Sequence, residues 1–321
     1  KVLNPATGEY VTGGGKADEL VARILKRPAA ERFKLLRETD HPQAQFLWAV
    51  FRDVFHYIGL HLESIADNAR DVDFAIRWGF GWNEGPFETW QSAGWKQITE
   101  WVNEDIAAGK GLSNAPLPAW IGEIEGAHSA AGSYSPAKKA FVPRSNLPVY
   151  ARQAFPAALV GENSADPKTA GTTVFESDAI RVWHQNDGIL IASFKSKMNT
   201  IGPDVLSGLQ KAIDIAEQEY KGLVIWQTGS INGGPFSAGA DLQAAMPLFM
   251  KGGAAAVEPF VAEFQNTAMR IKYAQVPVVA AMAGLALGGG CECPMHCAHR
   301  VAHLETYIGL VELGVGIVPA G

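Results

Sequence analysis

The chain has 321 residues, 47% hydrophobic and 19% charged, the proportions of an ordinary folded protein and not of a disordered or fibrous one. That length exceeds one average domain, so two folding units joined by a connector are expected. A formal net charge of −6, with no block of Lys and Arg able to track a phosphate backbone, argues against a nucleic-acid partner.

After a polar opening that contains Gly13, Gly14 and Gly15, apolar residues recur near helical spacing at Leu20, Ile24, Phe33, Leu35 and Leu36. Pro28 breaks the pattern and is expected to start a second helix, because its missing N–H is no loss in a first turn. Pro42 opens the strongest helix, in which Phe46, Leu47, Val50, Phe51, Val54, Phe55, Ile58, Leu62 and Ile65 form one wide apolar stripe expected to be buried. A helix from about Arg70 to Trp78 stops at GFGWNEGPFETW, where Pro86 starts a short helix through Trp90, and an amphipathic stretch from Gly94 to Ile106 completes a helical unit. Trp48, Trp78, Trp82, Trp90, Trp95 and Trp101 read as core and interface packing.

From about Ala107 to Val174 the periodicity is lost and Pro, Gly, Ser and Ala dominate. This reads as a connector, residues 108–174, with a small hairpin around Lys139 to Ala151. Alternation then returns: Ile180 and Val182, then Ile189 to Phe194, flank the turn QNDG and predict a hairpin. A helix from Pro203 to about Glu219, the strand LVIWQT from Leu223, a helix over about Val257 to Tyr273 and the strand PVVAAMAG complete an alternation that predicts an α/β unit. The best apolar stretch, VPVVAAMAGLALGGG from Val276, is too short to span a bilayer and runs into glycines. Clustering of Cys291, Cys293 and Cys297, with no basic-then-apolar leader after Lys1, points to a reducing, cytoplasmic setting and not to a disulfide framework.

Two segments, FSAGADL from Phe236 and GLALGGGCE from Gly284, run from a strand through small residues into a helix start. There Ala240 and Gly289 are expected to offer free N–H groups, since the first amides of a helix lack internal partners and glycine admits close approach. Together they would make a two-donor oxyanion hole. Glu292 closes the second segment and Glu312 lies in GLVELGVG, so two carboxylates can converge on one small reactant for proton transfer. The run CECPMHCAHRVAH offers a rival zinc site from Cys291, Cys293, His296, Cys297, His299 and His303, but its spacing matches no usual paired-knuckle pattern, and no metal is expected.

FSAGADL, GLALGGGCE and GLVELGVG, in this order, resemble the signature of the crotonase, or enoyl-CoA hydratase/isomerase, family. The resemblance implies a crotonase-like ββα spiral domain over residues 175–321, with the thioester oxygen held by the N–H groups of Ala240 and Gly289. It implies that Glu292 and Glu312 add water to a 2-enoyl-CoA with no bound cofactor, coenzyme A being part of the acyl-CoA substrate. Ala238, Asp241, Lys195 and Lys197 are its expected substrate-side residues, with Asp241 also capping the following helix and the lysines equally suited to plain solvation. A homo-oligomer without membrane attachment is expected. Double-bond isomerisation, thioester hydrolysis and a scaffold that only binds acyl-CoA or partners are the alternatives.

The stretch from Asp71 to Gly94 resembles the helical C-terminal domain of 3-hydroxyacyl-CoA dehydrogenases, which implies such a domain over residues 1–107. The two halves together resemble a multifunctional fatty-acid oxidation protein. No GxGxxG follows a strand here, so NAD is expected only in a full-length protein and no oxidation from this chain alone. The expected fold class is therefore α/β: a helical N-terminal domain followed by a C-terminally incomplete crotonase-like domain, with apolar surface exposed around Val315 to Val318.

Overall fold

The computed structural model describes residues 1–13 and 16–319, so Gly14 and Gly15 lie outside the described residues. The chain divides into two compact units, Lys1–Ser164 and Ala165–Gly321. In the first, a two-stranded ribbon of β1 (Val2–Leu3) and β2 (Tyr10–Val11) precedes α1 (Glu19–Leu25), α2 (Ala29–Glu38), α3 (Pro42–Ile65), α4 (Ala69–Phe80), α5 (Pro86–Ala107) and the single turn α6 (Trp120–Glu123). A three-stranded antiparallel sheet of β3 (His128–Ser129), β4 (Gly132–Ser135) and β5 (Ala140–Val142) follows, then the turn α7 (Pro148–Ala151).

The helix starts have local causes. Asp18 and Asn68 accept the N–H groups of Leu20 and Arg70, capping α1 and α4. The carboxylate of Glu88 takes the Gly85 N–H at the head of α5, and Gly81 ends α4 in the left-handed region at φ 68°. The two helices expected between Pro86 and Ile106 form one run broken at Gly94, whose φ of 103° only glycine adopts readily.

The apolar stripe of α3 is buried only in part. Phe55, Ile58 and Leu62 enter the core, but Phe46, Val50 and Ile65 are 66%, 42% and 50% exposed. The buried face runs through Trp48, Arg52, Phe55, His56, Gly59 and Leu62, because α2 and α5 cover that side and polar residues there find partners: Arg52 faces Asp53 and Asp105, and His56 Nε2 lies 2.7 Å from the Ala115 carbonyl. Of the six tryptophans expected to pack, Trp48, Trp90 and Trp95 are buried and Trp101 is half-buried, whereas Trp78 and Trp82 are 71% and 42% exposed. Trp78 covers one face only, stacking on Phe74 at 4.5 Å.

Most of the expected connector belongs to the first unit. Residues 108–164 pack with the helices, and the hairpin comes earlier than expected, with β4 and β5 joined through Lys139 at φ 49°. Elements this short show no period, and polar contacts hold them. Arg70 and Arg144 close on the buried Glu162 carboxylate, holding its pKa down against the burial that would raise it.

The second unit is built on a six-stranded sheet in the order β12-β10-β9-β8-β7-β6. Its strands are β6 (Thr172–Glu176), β7 (Ile180–His184), β8 (Ile189–Phe194), β9 (Gly222–Trp226), β10 (Val278–Met282) and β12 (His299–Ala302). β6, β7 and β8 pair antiparallel, the β7–β8 hairpin turning through Asn186 and Gly188 at positive φ, and the remaining pairs are parallel. Helices α8 (Pro203–Glu219) and α9 (Leu242–Lys272) pack on each other, and their apolar faces share one core with the sheet. α9 starts well before the expected Val257 and is broken at Gly253. A parallel pair, β11 (Leu285–Leu287) with β13 (Tyr307–Gly309), flanks α10 (Gly289–Met295) in sequence. The strand β6 was not foreseen. Ile317 and Val318 are 50% and 68% exposed, as expected for that segment, while the side chain of Val315 lies outside the described residues.

The α8–α9 contact carries an ion pair in which Arg270 grips Glu217 through two contacts of 2.6 and 2.7 Å. Arg270, and then the Gln275 N–H, hold the Glu217 carboxyl down from 4.5 to about 2. A carboxyl lowered on folding stabilises above its unfolded pKa, and the contribution is lost as pH falls through the folded one. Wild type is therefore expected to exceed Glu217→Gln in urea midpoint at pH 6, with the two converging from pH 4.5 down to about 2. Midpoints that stay equally far apart across that range would exclude this role.

Candidate active site

Three segments of the second unit meet around the two glycine-rich turns. The segment 236–241 is held on one side by Ile201, whose N–H donates to the Gly239 carbonyl at 2.8 Å and whose carbonyl accepts the Asp241 N–H at 3.0 Å. In such a parallel bridge the flanking residues supply the bonds, so the N–H of Ala240 points the other way. On its other side Ser237 bridges Ala286 of β11, with Ser237 N–H donating to the Leu285 carbonyl and its own carbonyl accepting from Leu287. The Ala240 amide is thus freed by strand geometry and not by a helix start, as its sequence position implies: α9 begins at Leu242 with Asp241 as cap, its carboxylate accepting from Gln243 and Ala244.

Gly289 does open a helix. Gly288, at φ 53° and ψ −122°, donates to the Gly309 carbonyl, and its own carbonyl accepts from Cys291 and Glu292. The Gly289 N–H, like that of Ala240, meets no acceptor among the described residues. The two backbones touch. A Cβ on Gly289 would lie 3.3 Å from the Ala240 nitrogen and 3.0 Å from the Phe264 ring, and one on Gly239 would lie 3.3 Å from the Gly289 nitrogen. Glycine at 239 and 289 is what lets two free amides stand side by side.

Glu292, in the first two turns of α10, and Glu312, at the head of the 3₁₀ turn Glu312–Val315, are 7% and 8% exposed. Glu312 Oε1 lies 2.9 Å from the position of a Cβ on Gly288, and Oε2 is buried with no hydrogen-bond partner among the described residues. Burial, then the charges of Glu292 and Glu312, push the Cys291 thiol up.

The other expected residues are placed differently. Ala238 donates its N–H to the Met198 carbonyl at 3.1 Å. Lys195 Nζ is engaged by Glu176 at 3.0 Å and the Ser177 carbonyl at 2.8 Å, while Lys197 is exposed on the turn Lys197–Asn199. Cys293 and Cys297 belong to the core of the unit, where burial raises both thiols, Cys297 to about 12. His299 lies on β12, and no group of three His, Cys, Asp or Glu converges to hold a metal among the described residues. Two residues escaped the sequence reading. Phe264 seats the Gly289 turn, and Gln227 is buried where β9 ends. A lone amide closing the apolar run GLVIW was the available signal for the second.

Comparison with known proteins adds a family to this geometry. The model of the enoyl-CoA hydratase/isomerase family matches residues 184–321. Those residues form a domain of the enoyl-CoA hydratase/isomerase family. The match begins within β7 and takes in both amides and both carboxylates. Over a longer span the chain is similar to a probable 3-hydroxyacyl-CoA dehydrogenase of Bacillus subtilis, 31% identical over 95% of this chain and 37% of the relative. It is also similar to a putative fatty acid oxidation complex trifunctional enzyme of Rickettsia felis, 28% identical over 88% of this chain and 34% of the relative. The mitochondrial methylglutaconyl-CoA hydratase of Mus musculus is 32% identical over 51% of this chain and 52% of its own length. The chain spans about a third of the length of the first two relatives.

Proposed function

We propose that the second unit is a 2-enoyl-CoA hydratase that adds water syn across the double bond of an acyl-CoA thioester. The observation that carries this is a buried Glu312 oxygen without a partner among the described residues, on a side chain that reaches Gly288 next to the unpaired Gly289 amide, in one family domain with Glu292 and the unpaired Ala240 amide. Glu292 orients a water and takes its proton as the oxygen bonds to C3. Glu312, entering with its proton, gives it to C2, and the carboxyls reset with solvent. Negative charge that builds on the thioester oxygen is met by the N–H groups of Ala240 and Gly289, each such donor being worth about 3 kcal/mol in systems where one was removed.

No bound cofactor enters this reaction, and coenzyme A arrives as part of the substrate. The names of the longer relatives support a place in fatty-acid oxidation, with NAD serving a dehydrogenase segment of a full-length protein. A homo-oligomer in the cytoplasm fits this reading. Purified protein is expected to remove the conjugated-thioester absorbance of crotonyl-CoA and yield 3-hydroxybutyryl-CoA. Migration of the double bond in a 3-enoyl-CoA without hydration of crotonyl-CoA would make it an isomerase, release of free coenzyme A a hydrolase, and binding without turnover a scaffold.

A further inference from the structure

The ladder between β8 and β9 ends at Ala192 opposite Ile225. Beyond it the Trp226 carbonyl accepts from Ser193 Oγ at 2.7 Å, and the Phe194 N–H donates to the side chain of Gln227, Oε1, at 2.6 Å. The Gln227 carbonyl accepts from both the N–H and the hydroxyl of Ser230, at 3.0 and 2.6 Å. Gln227 is 1% exposed and its Nε2 has no partner among the described residues. A carboxamide therefore replaces the backbone rung at the point where two strands part.

Each strand leads into a loop that shapes the site, residues 195–201 after β8 and 228–241 after β9. The loops are stitched to each other: Asn199 Nδ2 donates to the Pro235 carbonyl at 2.7 Å, Ala238 N–H to Met198, Ile201 N–H to Gly239, and Asp241 N–H to Ile201. Met198 and Asn199 both hold positive φ, 56° and 54°, a conformation that costs non-glycine residues and persists only where neighbours enforce it. The stitches bracket Ala240, and both loops leave the sheet at Gln227.

We infer that Gln227 is a positioning residue, its side chain fixing the splay of the two loops and hence the aim of the Ala240 N–H. This rests on the oxyanion role proposed above. An aim that matters only as charge develops affects turnover and leaves ground-state binding nearly untouched. Gln227→Met keeps length and volume but removes the acceptor, leaving the buried Phe194 N–H unpaired. Gln227→Glu keeps an oxygen at Oε1.

The test combines crotonyl-CoA kinetics with amide hydrogen exchange of wild type and both variants. Expected are a kcat at least about tenfold lower for Gln227→Met with KM changed less than about threefold, and recovery to within about threefold of wild-type kcat in Gln227→Glu. Exchange at Phe194 and over 236–241 is expected to quicken in Gln227→Met and far less in Gln227→Glu. Wild-type kcat in Gln227→Met, or wild-type exchange across both loops, overturns the inference. If wild type turns over no enoyl thioester, the hydratase reading fails, and the exchange data alone decide whether Gln227 sets the loops.

Discussion

Glu312→Gln is expected to lower kcat for crotonyl-CoA hydration by about 10²–10⁴-fold, the range of a lost general acid or base, with KM nearly unchanged. The amide matches the carboxyl in shape, so the fold has little reason to shift, but it cannot pass a proton. Glu292→Gln should fall in the same range. The double variant should be little worse than either single one, because both groups serve one proton relay. Turnover within about threefold of wild type in either variant would remove that residue from the chemistry.

A second readout is independent of activity. Burial, and then the charge of Glu292, keep the Cys291 thiol up, so deleting that charge in Glu292→Gln lowers it and should speed its alkylation. Unchanged alkylation in Glu292→Gln, with the fold intact by circular dichroism, would mean that this carboxylate is not beside Cys291.

The largest expected loss of stability lies in the first unit, at Asp73. Its carboxylate accepts the N–H groups of Phe87 and Glu88, at 2.8 and 2.9 Å, and lies 2.6 Å from His128 Nε2, whose Nδ1 is 2.8 Å from Ser133 Oγ. One side chain thus satisfies two orphan amides at the head of α5 and ties that helix to β3. Burial raises the Asp73 pKa despite the opposing pull of His128. Asp73→Ala leaves three buried polar groups without their partner and should cost about 3–5 kcal/mol. Asp73→Asn keeps one acceptor oxygen and should cost less. Hydrogen exchange of the α5 amides under increasing urea reads both, and a loss below about 1 kcal/mol in Asp73→Ala would refute the assignment. Ser133, His128 and Asp73 are 0%, 3% and 0% exposed, so this constellation, despite its resemblance to a hydrolytic triad, meets no substrate.

The second unit was the more legible in sequence because its signals are local. The turn QNDG, the proline at the head of α8 and the small-residue turns each specify backbone conformation over a few positions, and the elements follow them. What escaped was set by neighbours. Ala240 sits just before a helix start, yet its amide is freed by a bridge to Ile201, a residue remote in sequence. Phe46 and Phe55 share one apolar stripe, and only the placement of α2 and α5 decides which is buried. In residues 108–164 the holding contacts are buried ion pairs and capped amides, which leave no periodic trace.

The mixed direction of the large sheet bears on the order in which it assembles. Rungs such as Val278 to Leu223 and Val279 to His299 must wait for an intervening helix. Only the hairpin from Ile180 to Phe194, with the neighbouring β6, can zip up early. Since contacts distant in sequence slow the search for the native state, the parallel rungs are expected to form after the hairpin, which meanwhile offers an open β8 edge.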